Sequence, residues 1–161
     1  MTTQVSPRLE VLDYDECVRL LAASEVGRLA WAGAHGTALV PVNFGWTGTT
    51  VVVRTDPGAR LDEVLANPVA FEIDEFVRAD HSGWSVVVAG VARAVEAGYA
   101  DVKPWAPGSK AHWLEIVPAK ISGRRVVGVS DPASVPATDT KSQLSSVETL
   151  ENALWRMSAY S

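Results

Sequence analysis

Along this chain the spacing of apolar residues changes period several times, and each change marks an element. Asp13 stands where it can cap a helix, with Glu16 three residues on to complete a capping box. Val18, Leu21 and Ala22 then share one face, and Gly27 closes the segment. Beyond it, Arg28 to Ala32, Thr37 to Gly45 and Thr49 to Thr55 are short runs rich in Val, Leu and aromatics. The breaks at 33 to 36 and 46 to 48 predict two consecutive hairpins. Arg60 to Asn67 returns to helical spacing at Leu61, Val64 and Leu65 until Pro68 stops it. Val69, Phe71 and Ile73 alternate with Ala70, Glu72 and Asp74 in a strand with one wet face.

Trp84 to Glu96 predicts a longer strand, with Gly90 where a bulge would be tolerated, and Ala111 to Val117 and Gly123 to Val129 fit two more. About seven strands at hairpin spacing, with two helices among them, favour a mainly β (α+β) fold: an antiparallel barrel, closed or partly closed, over a parallel doubly wound sheet. Residues 1–9 read as a tail, 10–129 as the barrel domain and 130–142, rich in Ser, Pro, Thr and Asp, as a linker. Residues 143–161 then carry Leu144, Val147, Leu150, Leu154 and Met157 at amphipathic helical spacing, to pack on their own barrel or on a second subunit.

Composition narrows the function. With 19 acidic against 14 basic residues, net charge −5, the chain has no electrostatic footprint for nucleic acid or an anionic membrane. Cys17 is the single cysteine, so neither an internal disulfide nor a Cys-based zinc site can form. The first residues lack a secretory signal, and no apolar run approaches the roughly 20 residues of a spanning helix. A cytoplasmic protein is expected. His35, His81 and His112 show no metal-ligand spacing, and Gly-x-Ser-x-Gly, Walker A and Rossmann glycine patterns are absent.

Three features remain. In VVVRTDPGAR, residues 51–60, a strand delivers Arg54 and Thr55 to its end. Gly58 there permits close approach to the backbone, and Arg60 sits in the first turn of the next helix. Two readings fit: a phosphate cradle, or an arginine pair around an ordinary strand-to-helix turn. Asp56 opposes the cradle unless it faces water or pairs with an arginine. In LVPVNFGW, residues 39–46, Pro41 cannot donate to a ladder, which leaves the backbone of Val42 and Asn43 available to a flat ligand or Asn43 a satisfied core amide. Six tryptophans, at 31, 46, 84, 105, 113 and 155, supply plates for stacking, for a subunit interface or for the core.

The order VGRLAW (26–31), LVPVNF (39–44), VVVRTDPGARL (51–61), VAFEIDE (69–75), GWSVVVAGVA (83–92), PW (104–105) and ISGRR (121–125) resembles the actinobacterial branch of the pyridoxamine 5′-phosphate oxidase-like, FMN-binding split-barrel superfamily. The resemblance implies an antiparallel split barrel that dimerises, with two flavin sites at the subunit interface. By the same resemblance Pro41, Val42, Asn43 and Phe44 lie against the flavin ring, while the stretch holding Arg54, Thr55, Gly58, Arg60 and Leu61 binds the phosphate. Trp84 and Ser85 approach from the partner subunit, and Trp105 or Trp113 lines the substrate side. Where pyridoxamine phosphate oxidases commonly carry Ser-Arg-Lys, this chain has Ala59-Arg60-Leu61, and no match to their substrate-phosphate residues follows. The expectation is therefore an FMN-dependent oxidoreductase of a small organic substrate, not a true pyridoxamine phosphate oxidase. The alternatives are a reductase using the deazaflavin coenzyme F-420 and a non-enzymatic flavin- or haem-binding stress or regulatory protein.

Overall fold

The computed structural model describes residues 7–34, 36–56, 61–96 and 101–128. The expected linker and terminal helix lie outside them, with Trp155, Gly58 and Arg60. The chain runs β1 (Arg8–Leu12), α1 (Tyr14–Ala23), β2 (Val26–Gly33), β3 (Gly36–Trp46), β4 (Val51–Thr55), α2 (Leu61–Ala66), β5 (Pro68–Val77), β6 (Ser82–Val95) and β7 (His112–Val127). The strand order is β1-β7-β4-β3-β2-β5-β6, and β6 returns to pair with β7, so six strands close into an antiparallel split barrel with β1 attached to β7. Among the described residues no helix is long and apolar enough to cross a membrane.

The two hairpins form as expected, β2 with β3 and β3 with β4. In β5 the alternation buries Val69, Phe71 and Ile73. They meet Leu29 and Trp31 of β2, Val86 and Val88 of β6 and Leu114 and Ile116 of β7 in one apolar core. Phe44 stacks edge-on against Phe71 with ring centroids 4.8 Å apart.

Several boundaries differ from the expectation. Two of them concern strands. Arg8 and Leu9, placed in the tail, belong to β1, whose partner is the far end of β7. The two strands expected at 111–117 and 123–129 are one, β7, because β6 pairs with it from Trp113 to Val126 and absorbs one extra residue at a bulge between Ala89 and Gly90. A side chain at Gly90 would overlap the Val117 carbonyl, which is why this position tolerates only glycine.

The first helix differs as well. α1 ends at Ala23 and not at Gly27; Glu25 is already drawn toward β3, its carbonyl accepting the Phe44 N–H at 3.0 Å. Gly27 instead lies in β2 beneath the Phe71 ring, where a Cβ would collide with it. The buried face of α1 is Cys17, Leu20 and Leu21, with Ala22 exposed.

Only half of the capping box forms. The Asp13 carboxylate accepts the Glu16 N–H at 2.8 Å, but the Glu16 side chain pairs with Arg19 at 2.8 Å and with Arg125 of β7 at 2.5 Å. Those two guanidinium groups, Arg19 foremost, hold the Glu16 carboxyl down to about 2 from its ordinary 4.5. A carboxyl whose pKa is lowered by folding adds stability that is complete above its unfolded value and lost as pH falls through the folded one. Glu16→Gln is therefore expected to flatten the acid-side decline between about pH 4.5 and 2. Urea midpoints measured across that window check it; an acid slope identical to the parent's would count against the pairing.

Candidate functional site

β3 and β4 are laddered only through Trp46–Val51, Gly45–Val52 and Phe44–Val53. From Asn43 back to Gly36, β3 has β2 on one side and, among the described residues, no strand on the other. The barrel is split here. In an antiparallel ladder successive residues turn their backbone groups to opposite sides. Since the Phe44 N–H faces the β2 side, the backbone groups of Asn43, Pro41 and Leu39 face the open edge. Pro41, which has no N–H to donate, thus occupies an edge position that no ladder uses, as its chemistry requires.

Beyond the split, β4 leans to β7, setting Arg54 opposite Trp113 and Thr55 opposite His112. The Arg54 guanidinium stacks on the Trp113 ring, 4.8 Å from its centroid, and its Nε donates to the Lys110 carbonyl at 3.1 Å. Its two Nη groups have no hydrogen-bond partner among the described residues. Among the described residues the Thr55 hydroxyl reaches only the Asp56 carbonyl, at 3.5 Å.

Among the described residues Asp56 pairs with Lys110 and with no arginine. Its Oδ1 accepts the Lys110 N–H at 2.8 Å and its Oδ2 pairs with the Lys110 ammonium. The ammonium and then the N–H of Lys110 hold the Asp56 carboxyl below the ordinary carboxylate range. The same stretch of chain reaches β3: the Trp105 N–H donates to Asn43 Oδ1 at 2.9 Å, while the Asn43 amide nitrogen is 3.5 Å from the Glu25 carbonyl. Trp105 itself is half exposed.

The structure thus gathers the open edge at Pro41 to Asn43 with Arg54, Thr55, Trp105 and Trp113. Phe44 is at the same place in the chain but turns its ring into the core, and Leu61 packs against that core too. Trp84 and Ser85 stand elsewhere: they pair with Arg125 and Arg124, whereas Arg54 pairs with Trp113 at the opposite end of β7. Of the other tryptophans, Trp31 is buried in the core and Trp46 packs against it. The residue that sequence reasoning missed is Lys110. Nothing in its neighbours along the chain marks it; its role comes from a partner 54 residues away.

This geometry offers one oriented guanidinium beside a flat strip of unpaired backbone flanked by indoles, which suits an anion joined to a planar ring. Residues 13–125 match the family model described as pyridoxamine 5′-phosphate oxidase. An uncharacterized protein of Mycobacterium tuberculosis is 32% identical over 131 residues, covering 74% of this chain and 86% of that one. Among solved structures, an FAD binding protein from Mycobacterium smegmatis is 32% identical with a TM-score of 0.59, covering 73% of this chain and 98% of that one. A second FAD-binding protein, from Mesorhizobium loti, is 24% identical with a TM-score of 0.61 over 76% of this chain and 99% of that one, a likeness of fold.

Proposed function

Given that the chain belongs to the pyridoxamine 5′-phosphate oxidase family, we propose that it binds a flavin through the phosphate-ring unit common to FMN and FAD, and acts as a homodimeric oxidoreductase on a small organic substrate. The observation that carries this reading is the Arg54 guanidinium, held by Trp113 and the Lys110 carbonyl beside the unpaired edge of β3. These residues fit the group. Arg54 would hold the phosphate, and the backbone of Pro41 to Asn43 would meet the ring. The FAD binding protein from Mycobacterium smegmatis supports a flavin. When bound, the flavin supplies the electron transfer, so no side chain of this protein need act as a nucleophile. Trp105 is anchored beside this edge through its backbone N–H, which donates to Asn43. The Ala59-Arg60-Leu61 sequence argues against pyridoxamine phosphate as the substrate.

Two observations support a second copy. The outer faces of β3, β2, β5 and β6 carry one row of Leu39, Ala30, Ala70 and Ala89, with Val87 and Val91 on either side of Ala89 on β6. Leu39 is 57% and Val91 55% exposed. An apolar patch of small residues that runs onto the open edge suits close contact with another chain. In addition, the family resemblance brings Trp84 and Ser85 to the flavin from a partner, and within this chain they pair with Arg125 and Arg124, at the far end of β7 from Arg54, which agrees with that arrangement.

Fluorescence titration of the purified full chain with FMN, FAD and coenzyme F-420 tests the cofactor. Micromolar or tighter binding of FMN or FAD is expected; a preference for F-420 would replace the flavin, and binding of none would end the proposal. Ala70→Glu, which puts a carboxylate into the apolar row, is expected to give a monomer by light scattering and to weaken flavin binding by about tenfold or more. A dimer with unchanged affinity would sink the interface.

A further inference from the structure

Asp56 follows Thr55 in the segment that would receive a phosphate, where simple Coulomb repulsion disfavours a carboxylate. We propose that Asp56 is a positioning residue: by gripping Lys110 it seats the Lys110 carbonyl against Arg54 Nε, and so presents the guanidinium to the anion in one orientation. This rests on the flavin-phosphate reading and extends it to a residue that does not touch the phosphate.

The grip has two points, main chain and side chain of the same lysine, Oδ1 to the Lys110 N–H and Oδ2 to its ammonium. Lys110 needs such a hold. Its φ of 42° lies in the left-handed region, which a lysine occupies only when its surroundings impose it. The loop also leaves room for the carboxylate: Gly108 has φ 128°, and a Cβ there would stand 2.7 Å from Asp56 Oδ2. The Lys110 side chain is 14% exposed, so its charge is directed to Asp56 and neutralises it. With the carbonyl fixed on one side at 3.1 Å and the Trp113 ring on the other, Arg54 loses rotamer freedom before the ligand arrives. Such preorganisation lowers the entropy lost on binding.

The sign of one substitution separates this from plain electrostatics. If Asp56 only repels the phosphate, Asp56→Ala tightens FMN binding. If it positions Arg54, Asp56→Ala weakens FMN binding, by about tenfold. Asp56→Asn, which keeps an oxygen for the Lys110 N–H, restores most of the affinity, and Asp56→Ala in an Arg54→Ala background costs nothing more. Asp56→Glu is the second variant should the alanine chain not fold: it keeps the charge but displaces the carboxylate, and is expected to weaken binding as well. Tighter binding in Asp56→Ala, full affinity in Asp56→Glu, or a loss that adds to that of Arg54→Ala overturns the proposal. Should Arg54→Ala itself bind FMN like the parent, the phosphate reading fails, and this inference falls with it.

Discussion

Arg54→Ala is expected to weaken flavin binding by about 100-fold, while the unfolding midpoint of the ligand-free protein stays close to the parent's. The guanidinium offers two Nη groups in a planar fork, and each charge-assisted hydrogen bond to an anion contributes about 1.5–3 kcal/mol, where 1.4 kcal/mol is a factor of ten. Two such bonds would exceed 100-fold, but water replaces part of what is lost at a site only half buried. Arg54→Lys is expected to recover little. An ammonium keeps the charge but has no Nε to meet the Lys110 carbonyl and no plane to lie on Trp113, so the orientation built by the fold disappears. The measurement is a titration with FMN at two salt concentrations. Parent-like affinity in Arg54→Ala would mean that the phosphate is held elsewhere.

The second large effect is on stability. Phe71→Ala should destabilise the fold by about 3–5 kcal/mol, the range for emptying a fully packed aromatic site, out of the roughly 5–15 kcal/mol that a domain possesses. Phe71 is 0% exposed and is enclosed on two sides, by the Phe44 ring at 4.8 Å and by the backbone of Gly27, whose missing side chain makes the space for it. Neither neighbour can collapse inward easily, since each belongs to a strand of the closed barrel. The damage reaches the site as well. Phe44 is the last rung of the β3–β4 ladder before the split, so a loosened Phe44 ring unsettles the edge at Asn43. Saturating flavin should therefore return part of the lost stability, because a ligand that binds only the folded chain shifts the equilibrium toward it. Guanidinium unfolding with and without FMN tests both parts, with Phe71→Leu as the milder comparison; a loss under about 1 kcal/mol in Phe71→Ala would contradict the packing.

The elements differ in how far they could be read from their own residues. β5 was legible because Val69, Phe71 and Ile73 alternate with polar residues over consecutive positions, and the alternation follows from the pleat itself. β1 was not. In Arg8–Leu12 two apolar side chains, Leu9 and Val11, remain exposed and only Leu12 is buried, so the segment has no inward stripe to announce it; its strand character comes from β7. The long β7 read as two strands because Pro118 and Gly123 punctuate it, whereas a continuous neighbour, β6, carries it across both. Among the described residues the strands number seven, as expected, but by a different division of the chain. At the site, Arg54, Trp113, Asn43 and Trp105 were each legible as residue types, but their pairing was not, and Asp56 read as an obstacle.

By itself the sequence determined the antiparallel barrel class, the two hairpins, the helix cap at Asp13, the family and the strand that presents Arg54. Turn chemistry, periodicity and capping are interactions among residues close along the chain, and these are written in the order of residues. Tertiary structure alone decided how far the open edge of β3 would run, that the Trp105 N–H would meet Asn43, and that Lys110 would lie between Asp56 and the guanidinium. The contacts responsible join residues 54 and 62 positions apart, Asp56 with Lys110 and Asn43 with Trp105. They exist only once β7 has paired with β4 on one side and β6 on the other, because barrel closure is what brings such distant stretches within the reach of a hydrogen bond.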